Sequence, residues 1–254
     1  MNDWPKLDFH LHATRYRLSG GRPDATVANI AARCAELGYQ AIGVVEHLDA
    51  DPKHPAACLA ELAAEFRTVS APPRLYVGAE LDVNVAGDGL SVPAAPRLKR
   101  ELGLDYCLGS VHGLGEGALD RDAYIAEEHR RLLVLTRCPT VDVIAHAWSM
   151  GHALVRKGIL PEWRFSLIPD ACLQGLLDAL RVSGQALEVN PKARADFPDP
   201  AYRVFIQQAI AAGIRIAIGS DAHSLERIGG ADAQAAFVRE VGLPAAQLWT
   251  PEAR

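Results

Sequence analysis

The chain has 254 residues, of which 49% are hydrophobic, enough to form a large buried core. Its 26 basic and 31 acidic side chains leave a formal charge of -5, which excludes a broad attraction to the backbone of a long nucleic acid. No apolar run reaches the roughly 18 to 20 residues needed to span a bilayer, and the N-terminus lacks the apolar core of a secretion signal. We therefore expect a cytoplasmic protein without a membrane partner, while its oligomeric state is not indicated.

Seven short apolar runs alternate with segments whose apolar residues recur at helical spacing. The runs predict strands at residues 6–11, 41–45, 74–79, 106–110, 141–145, 186–189 and 215–218. Helices are predicted at residues 27–37, 56–69, 124–136, 169–182, 200–212 and 232–241, several of which are followed by a glycine. Because this alternation is typical of a parallel sheet covered on both faces, the predicted fold class is α/β.

Histidines and carboxylates lie at or just past the C-terminal ends of six of these seven strands. The residues are His10, His12, His47, Glu80, His112, His146, Asp221 and His223. Barrels place their active sites at these strand ends, whereas an open sheet gathers its site near one switch point. The sequence therefore predicts a closed or nearly closed barrel, formed by residues 1–254 as one domain, with segments 84–97 and 147–169 as loops over the site.

The residue types in this set predict a metal site. Alternate residues of a strand share a face, so His10 and His12 can reach one ion together. Imidazole combined with carboxylate suits zinc, manganese or iron, whereas an all-oxygen set would suit magnesium or calcium. A single histidine at a strand end is more often a structural residue, but the full set together favours metal binding.

The chain resembles the polymerase and histidinol phosphatase (PHP) family in six motifs that follow the family's order. They read DFHLH at 8–12, VEH at 45–47, GAELD at 78–82, DYCLGSVH at 105–112, AH at 145–146 and GSDAH at 219–223. The second, third and fourth motifs look most like the histidinol-phosphatase branch. The resemblance implies a distorted seven-stranded TIM-like β/α barrel that holds two or three divalent ions of zinc, manganese or iron and hydrolyses phosphoesters.

Carried over position by position, the resemblance implies a ligand set for each ion. One ion is bound by His10, His12, Glu80 and Asp221. A second ion is bound by Glu80, His112 and His146, so that Glu80 bridges the two. The candidate catalytic residues are Glu80, Asp221 and His223.

A third ion is implied at His47 and His223, but the chain departs from the family there. Many members carry another histidine shortly after the first pair, and this chain has none between Thr14 and Ala25. We therefore expect the third ion to be bound more weakly. A second departure is Ala147-Trp148 after the fifth motif, where histidinol phosphatases tend to have a proline and an acidic residue.

The predicted function is hydrolysis of a small phosphomonoester, as in a histidinol phosphatase, by attack of a metal-bridging hydroxide. Two nearby cations can lower the pKa of a shared water and neutralise phosphoryl oxygens. Arginines and lysines near the strand ends are expected to bind the phosphate of this small substrate. The candidate substrate or phosphate binders are Arg15, Arg17, Lys192, Arg194, Asn190 and Arg227.

Three alternatives stay open at the level of sequence. A nucleotide or oligonucleotide phosphoesterase would use Tyr16, Trp148 or Trp163 to stack a base. A metal-dependent C–N hydrolase would need much the same ligands. A catalytically inactive metal-binding scaffold is the non-enzyme alternative. The full set of candidate ligands argues against it, because a structural zinc ion needs only about four.

Overall fold

The computed structural model describes residues 4–16, 22–51, 55–70, 72–84, 89–114 and 120–252. Its strands are β1 (Leu7–His12), β2 (Ala41–Leu48), β3 (Arg74–Asp82), β4 (Tyr106–Ser110), β5 (Val143–Ile144), β6 (Ala186–Val189) and β7 (Ile216–Ile218). Its α-helices are α1 (Val27–Glu36), α2 (Ala56–Phe66), α3 (Ala95–Leu102), α4 (Arg121–Thr136), α5 (Met150–Arg156), α6 (Asp170–Ser183), α7 (Pro200–Ala211) and α8 (Ala231–Glu240). The strands pair in chain order, and every pair is parallel.

The sheet curls until its first strand meets the segment that follows its last. Leu11 forms a parallel bridge with Ala222, and the amide of His12 donates to the Ala222 carbonyl over 2.9 Å. The structure is therefore a nearly closed seven-stranded β/α barrel, which confirms the predicted fold class. Among the described residues, no helix is long and apolar enough to cross a membrane.

The near-continuous apolar composition of the strands follows from burial on both faces. Every residue of β1, β4, β6 and β7 is buried, because one face points into the barrel and the other is covered by helices. Inside the barrel, the ring of Tyr106 reaches across β3 to β2. A Cβ at Gly43 or Gly78 would overlap this ring. The Tyr106 hydroxyl donates to the carbonyl of Phe9 over 2.7 Å, so a packed floor lies below the strand ends.

Two segments predicted as loops contain helices, which corrects that part of the prediction. Segment 147–169 includes α5, and segment 84–97 runs into α3 at Ala95. The sequence of α5 is only seven residues long and includes Gly151, while α3 has a single buried residue, Ala95. At seven and eight residues, both helices are shorter than the roughly 11 to 18 residues over which helical periodicity is recognised.

Candidate metal centre

The histidines and carboxylates predicted from the strand ends converge at the C-terminal mouth of the barrel. Their ligand atoms form overlapping groups of three that could each hold a metal ion, with all three atoms within 4.8 Å of one another. The groups are His12, His47 and His223; His10, His146 and Asp221; His10, His12 and Glu80; and His47, Glu80 and His112. His112 and His223 are partly exposed, and the other six side chains are buried.

Two histidine nitrogens and two carboxylate oxygens form a set of four atoms around His10 and His12, which we call the four-atom set. They are His10 Nε2, His12 Nε2, Glu80 Oε2 and Asp221 Oδ1. His10 Nε2 lies 3.1 Å from His12 Nε2 and 3.5 Å from each carboxylate oxygen, and His12 Nε2 lies 3.4 Å and 3.2 Å from the same oxygens. Ligand atoms about 2.0–2.1 Å from one tetrahedral zinc ion would lie roughly 3.3–3.4 Å apart. The two histidine nitrogens are therefore spaced to bind one ion together with a carboxylate oxygen.

The carboxylate oxygens of this set support the same conclusion. Glu80 Oε2 and Asp221 Oδ1 are buried, and neither accepts a well-oriented hydrogen bond from the part of the chain that is described. Buried polar atoms normally have partners, because leaving one unpaired costs about 1–3 kcal/mol. A cation placed among these atoms would satisfy both oxygens.

The two oxygens of Glu80 face different imidazoles. Glu80 Oε1 lies 3.0 Å from His146 Nε2 and 3.2 Å from His112 Nε2. Glu80 Oε2 faces His10 and His12, and it also lies 3.0 Å from His47 Nδ1. The carboxylate is therefore placed between two sets of nitrogen ligands, with one oxygen directed at each.

The imidazole of His12 also stacks against two further histidines. Its ring centroid lies 4.5 Å from that of His47 and 4.1 Å from that of His223. His12 Nε2 already belongs to the four-atom set. An ion at His47 and His223 would therefore share His12 or rely on two protein ligands.

The charges within the cluster keep its carboxylates ionised. Burial alone would raise the pKa of Glu80, but His112, His47 and His10 hold it well below its usual range. Burial also opposes ionisation of Asp221, and the charge of His10 is the largest of the causes that lower its pKa. Although burial acts in the other direction, Glu80 raises the pKa of His112 to about 10. The carboxylates are thus in the form that metal ligands require.

Strained backbone carries two of the ligands. His146 and Asp221 have φ angles of 32° and 51°, and Trp148 has a φ of 53°. Positive φ is uncommon for residues other than glycine, and holding it costs on the order of 1–3 kcal/mol per residue. Such strain is found where a side chain must be aimed at a functional site, as His146 and Asp221 are aimed at the cluster.

No family model matches the chain, and no curated protein matches it. Among solved structures, the chain superposes on histidinol phosphate phosphatase from Lactococcus lactis subsp. lactis, complexed with zinc, L-histidinol and phosphate. That superposition has a TM-score of 0.66 at 18% sequence identity and covers 94% of each chain. The chain has the histidinol-phosphatase fold. The resemblance seen in the sequence is thereby confirmed at the level of the fold.

Other solved structures are less similar to this histidinol-phosphatase fold. An uncharacterised protein aligns with a TM-score of 0.42 at 14% identity, over 96% of this chain and 75% of that one. A putative aldo-keto reductase from Pseudomonas aeruginosa aligns with a TM-score of 0.37 at 14% identity, over 92% and 89% of the two chains. Neither likeness is close enough to bear on function.

A cavity of about 1460 Å³ lies over the cluster of this histidinol-phosphatase fold. Four of the six substrate binders predicted from the sequence line the cavity. They are Lys192, Arg194, Asn190 and Arg227. Lys192 Nζ lies 2.5 Å from Asp221 Oδ2, and the neighbouring carboxylates raise the pKa of this lysine although burial opposes them. The amide of Asn190 is fully buried, accepts from the Lys192 main-chain amide and donates to Glu188.

Of the other two predicted binders, Arg15 lies away from this cavity. The guanidinium of Arg15 is 3.7 Å from Glu65 Oε2 and 5.0 Å from the centroid of the Tyr16 ring, and Arg15 does not line the cavity. Arg17 falls outside the described residues. Phosphate binding by both arginines stays a prediction.

Sequence reasoning missed Glu188, which lies behind the cluster in β6. Its Oε1 is 2.7 Å from His10 Nδ1, and its Oε2 accepts from the main-chain amide of His146 over 3.0 Å. The signal was a charged residue in the apolar run Ala-Leu-Glu-Val, which is buried in the structure. A carboxylate in such a run needs a polar partner inside the barrel.

The aromatic residues considered for base stacking belong mainly to the core. Tyr16 is 6% exposed, Trp148 is 1% exposed and Trp163 is 6% exposed. Trp148 packs against Phe165 and Phe205, and Trp163 is the one of the three that borders the cavity. The structure therefore offers no row of exposed rings for a nucleic acid within its described residues.

Proposed function

We propose that the protein is a metal-dependent phosphoesterase that hydrolyses a small phosphomonoester. The observation that carries this proposal is the position of Glu80, whose two oxygens face separate sets of histidines in a buried cluster. Paired divalent ions bridged by a carboxylate suit phosphoryl transfer, because two cations can act on the attacking and the leaving oxygens. The shared fold with a phosphatase supports the same reading.

Each proposed ion has a set of ligands, and Glu80 belongs to both sets. The first ion would be held by His10, His12, Glu80 and Asp221, in which each histidine nitrogen lies 3.1–3.5 Å from the other nitrogen and from both carboxylate oxygens. The second would be held by Glu80, His112 and His146. Nitrogen and oxygen donors together suit zinc, manganese or iron. When bound, such ions lower the pKa of water and offset charge on phosphoryl oxygens.

The cations on the cavity wall are placed to bind the phosphate group. Lys192, Arg194 and Arg227 follow β6 and β7 and line the cavity over the cluster. Charge-assisted hydrogen bonds from such groups to phosphate oxygens are roughly twice as strong as neutral ones. Lys192 is already beside Asp221, so its ammonium can contact both a ligand of the first ion and a substrate oxygen.

The opposite wall of the cavity favours a substrate that also carries a positive charge. Asp49 and Asp51 follow β2, and Asp82 is the last residue of β3; these strands lie across the barrel from β6 and β7, and all three carboxylates line the same cavity. A small phosphomonoester with an amino or imidazole group would place opposite charges against both walls. Histidinol phosphate has this chemistry, and we propose a substrate of that type.

The alternative substrates can be separated in one experiment. The purified protein, stripped with chelator and reconstituted with zinc, manganese or iron, is assayed against phosphomonoesters, phosphodiesters and amides. We expect phosphate release from phosphomonoesters in the reconstituted protein and none in the Glu80→Gln variant. Faster cleavage of diesters or amides would replace the proposal by one of its rivals, and no turnover of any substrate would favour a non-catalytic metal-binding protein.

A further inference from the structure

Glu188 contacts residues in β1, just after β5 and just after β6. Its carboxylate is buried in β6, with the residue 4% exposed. One oxygen lies 2.7 Å from His10 Nδ1 on β1. The other accepts from the main-chain amide of His146 over 3.0 Å and from Asn190 Nδ2 over 3.1 Å. One side chain therefore touches two proposed metal ligands from behind.

The contact with His10 fixes which ring nitrogen faces the cluster. His10 Nε2 belongs to the four-atom set, so Nδ1 is the nitrogen left to bond the protein. An imidazole that donates Nδ1–H to a carboxylate keeps the lone pair of Nε2 available and its ring orientation fixed. Glu188 thus supplies the partner that a metal-binding histidine needs on its far side.

The contact with His146 acts on the backbone. His146 begins the strained turn after β5, with a φ of 32°. The hydrogen bond from its amide to Glu188 ties this turn to β6. Because strained conformations persist only where surrounding contacts hold them, this bond helps to keep the imidazole of His146 directed at Glu80.

The barrel leaves specific room for this carboxylate. A Cβ at Gly219 would overlap Glu188 Oε1 and lie 2.5 Å from His10 Cβ. The glycine therefore permits the chain just after β7 to pass directly beside the contact between Glu188 and His10. Any side chain at position 219 would push the two apart.

We propose that Glu188 is a positioning residue for the metal centre, acting through His10 and through the turn that carries His146. This inference rests on the proposed function only in that the cluster binds metal ions. We therefore expect a change at Glu188 to lower the affinity for metal ions more than it lowers the stability of the fold. Partners of metal-binding histidines typically contribute about 10–100-fold to affinity.

The test measures binding of zinc or cobalt ions alone, without any phosphoester. Glu188→Gln keeps the size of the side chain and one oxygen acceptor but removes its charge. We expect its affinity for the first ion to fall about 10–100-fold in a competition titration with a chromophoric chelator. We also expect a changed visible spectrum of bound cobalt, while the metal-free variant unfolds cooperatively and within a few degrees of the parent.

Two further variants make the result decisive. Glu128→Gln, at another buried glutamate on α4 that does not belong to the cluster, should leave metal affinity within twofold of the parent. If Glu188→Gln does not fold, Glu188→Asp retains the charge but draws it back by one methylene, and it should show the same loss of affinity. Parent-like affinity and cobalt spectrum in a folded variant at position 188 would overturn the proposal.

The outcome is separate from that of the phosphatase assay. A parent that binds metal but releases no phosphate would contradict the proposed function and leave the role of Glu188 to be decided by the affinities. A parent that binds no metal in this titration would overturn both.

Discussion

Lys192 Nζ lies 2.5 Å from Asp221 Oδ2, while the other oxygen of Asp221 faces the nitrogens of His10 and His12. The ammonium thus neutralises the outer side of a carboxylate whose inner side belongs to the proposed metal site. Because Lys192 also lines the cavity, we expect it to act on the substrate as well as on Asp221.

Replacing Lys192 by alanine should lower kcat/KM about 10–100-fold on the best phosphomonoester, since a hydrogen bond to a charged group contributes about 1.5–3 kcal/mol. Lys192→Arg keeps the charge and should recover part of the loss. Steady-state kinetics at matched metal content measure both variants. A fall in kcat and kcat/KM alike would indicate that the lysine acts mainly in the transition state, whereas a rise in KM alone would indicate uniform binding.

The same assay decides the role of the other predicted phosphate binders. Arg194→Ala and Arg15→Ala are compared with Arg33→Ala, which removes an exposed cation on α1 that pairs with Glu36. Arg194 lines the cavity and should behave like Lys192. If Lys192→Ala and Arg194→Ala both match Arg33→Ala, these two cavity cations do not bind substrate.

Glu80→Gln should abolish turnover, with a loss of at least about 10³-fold, because the charge that bridges the two ligand sets is removed. Metal content should fall at the same time. The fold should survive, since glutamine has nearly the same volume and the 1% exposed side chain no longer has to be buried as a charge. Elemental analysis, circular dichroism and kinetics on one preparation test this, and full activity at unchanged metal content would show that the bridge lies elsewhere.

A third ion should bind more weakly than the other two. His47 and His223 can gain only His12 as a further histidine within the group, and His12 Nε2 is already in the four-atom set. Substrate phosphate or water would have to complete the shell of such an ion. Its occupancy should therefore rise with inorganic phosphate and fall on dialysis. Three ions retained at full occupancy in phosphate-free buffer would mean that another residue completes the site.

Stability should depend on pH through Glu128. Burial raises the pKa of this carboxyl from 4.5 to about 8, although bonds from Tyr124 and the Trp148 main chain act against the shift. The folded state therefore holds a proton that the unfolded state has lost between about pH 4.5 and pH 8, so the free energy of unfolding falls as pH rises through that window.

Glu128→Gln removes this dependence. In metal-free buffer the variant should match the parent near pH 4.5 and exceed it above pH 8 by up to about 5 kcal/mol, because each pKa unit corresponds to about 1.4 kcal/mol. Urea unfolding of both proteins from pH 4.5 to pH 9 gives the difference directly. A difference that does not change across this range would show that Glu128 titrates normally.

The sequence predicts the strands, and the meeting of the candidate ligands at one end of the barrel, because both follow from strong local rules. The start of β2 at Ala41 and the full extent of β4 are as predicted, since apolar runs bounded by polar residues define buried strands. His10, His12 and Glu80 come together because parallel strands in a barrel end at the same mouth.

The sequence could not predict contacts between side chains that lie far apart in the chain and meet only in the folded barrel. Nothing local to Glu188 shows that His10, far away in the chain, lies 2.7 Å from it. The direction of Arg15 is also decided by tertiary structure, because Glu65 on α2 lies beside its guanidinium. The short helix α5 lacked enough residues for its periodicity to be seen.

The proposed function depends most on two ions that share Glu80, and anomalous X-ray diffraction tests for them directly. Crystals of the protein reconstituted with zinc are measured above and below the zinc absorption edge. We expect two strong anomalous peaks, one beside His10, His12 and Asp221 and one beside His112 and His146, with the Glu80 carboxylate between them. A single peak, or no peak after reconstitution, would contradict the two-ion centre on which the proposed function rests.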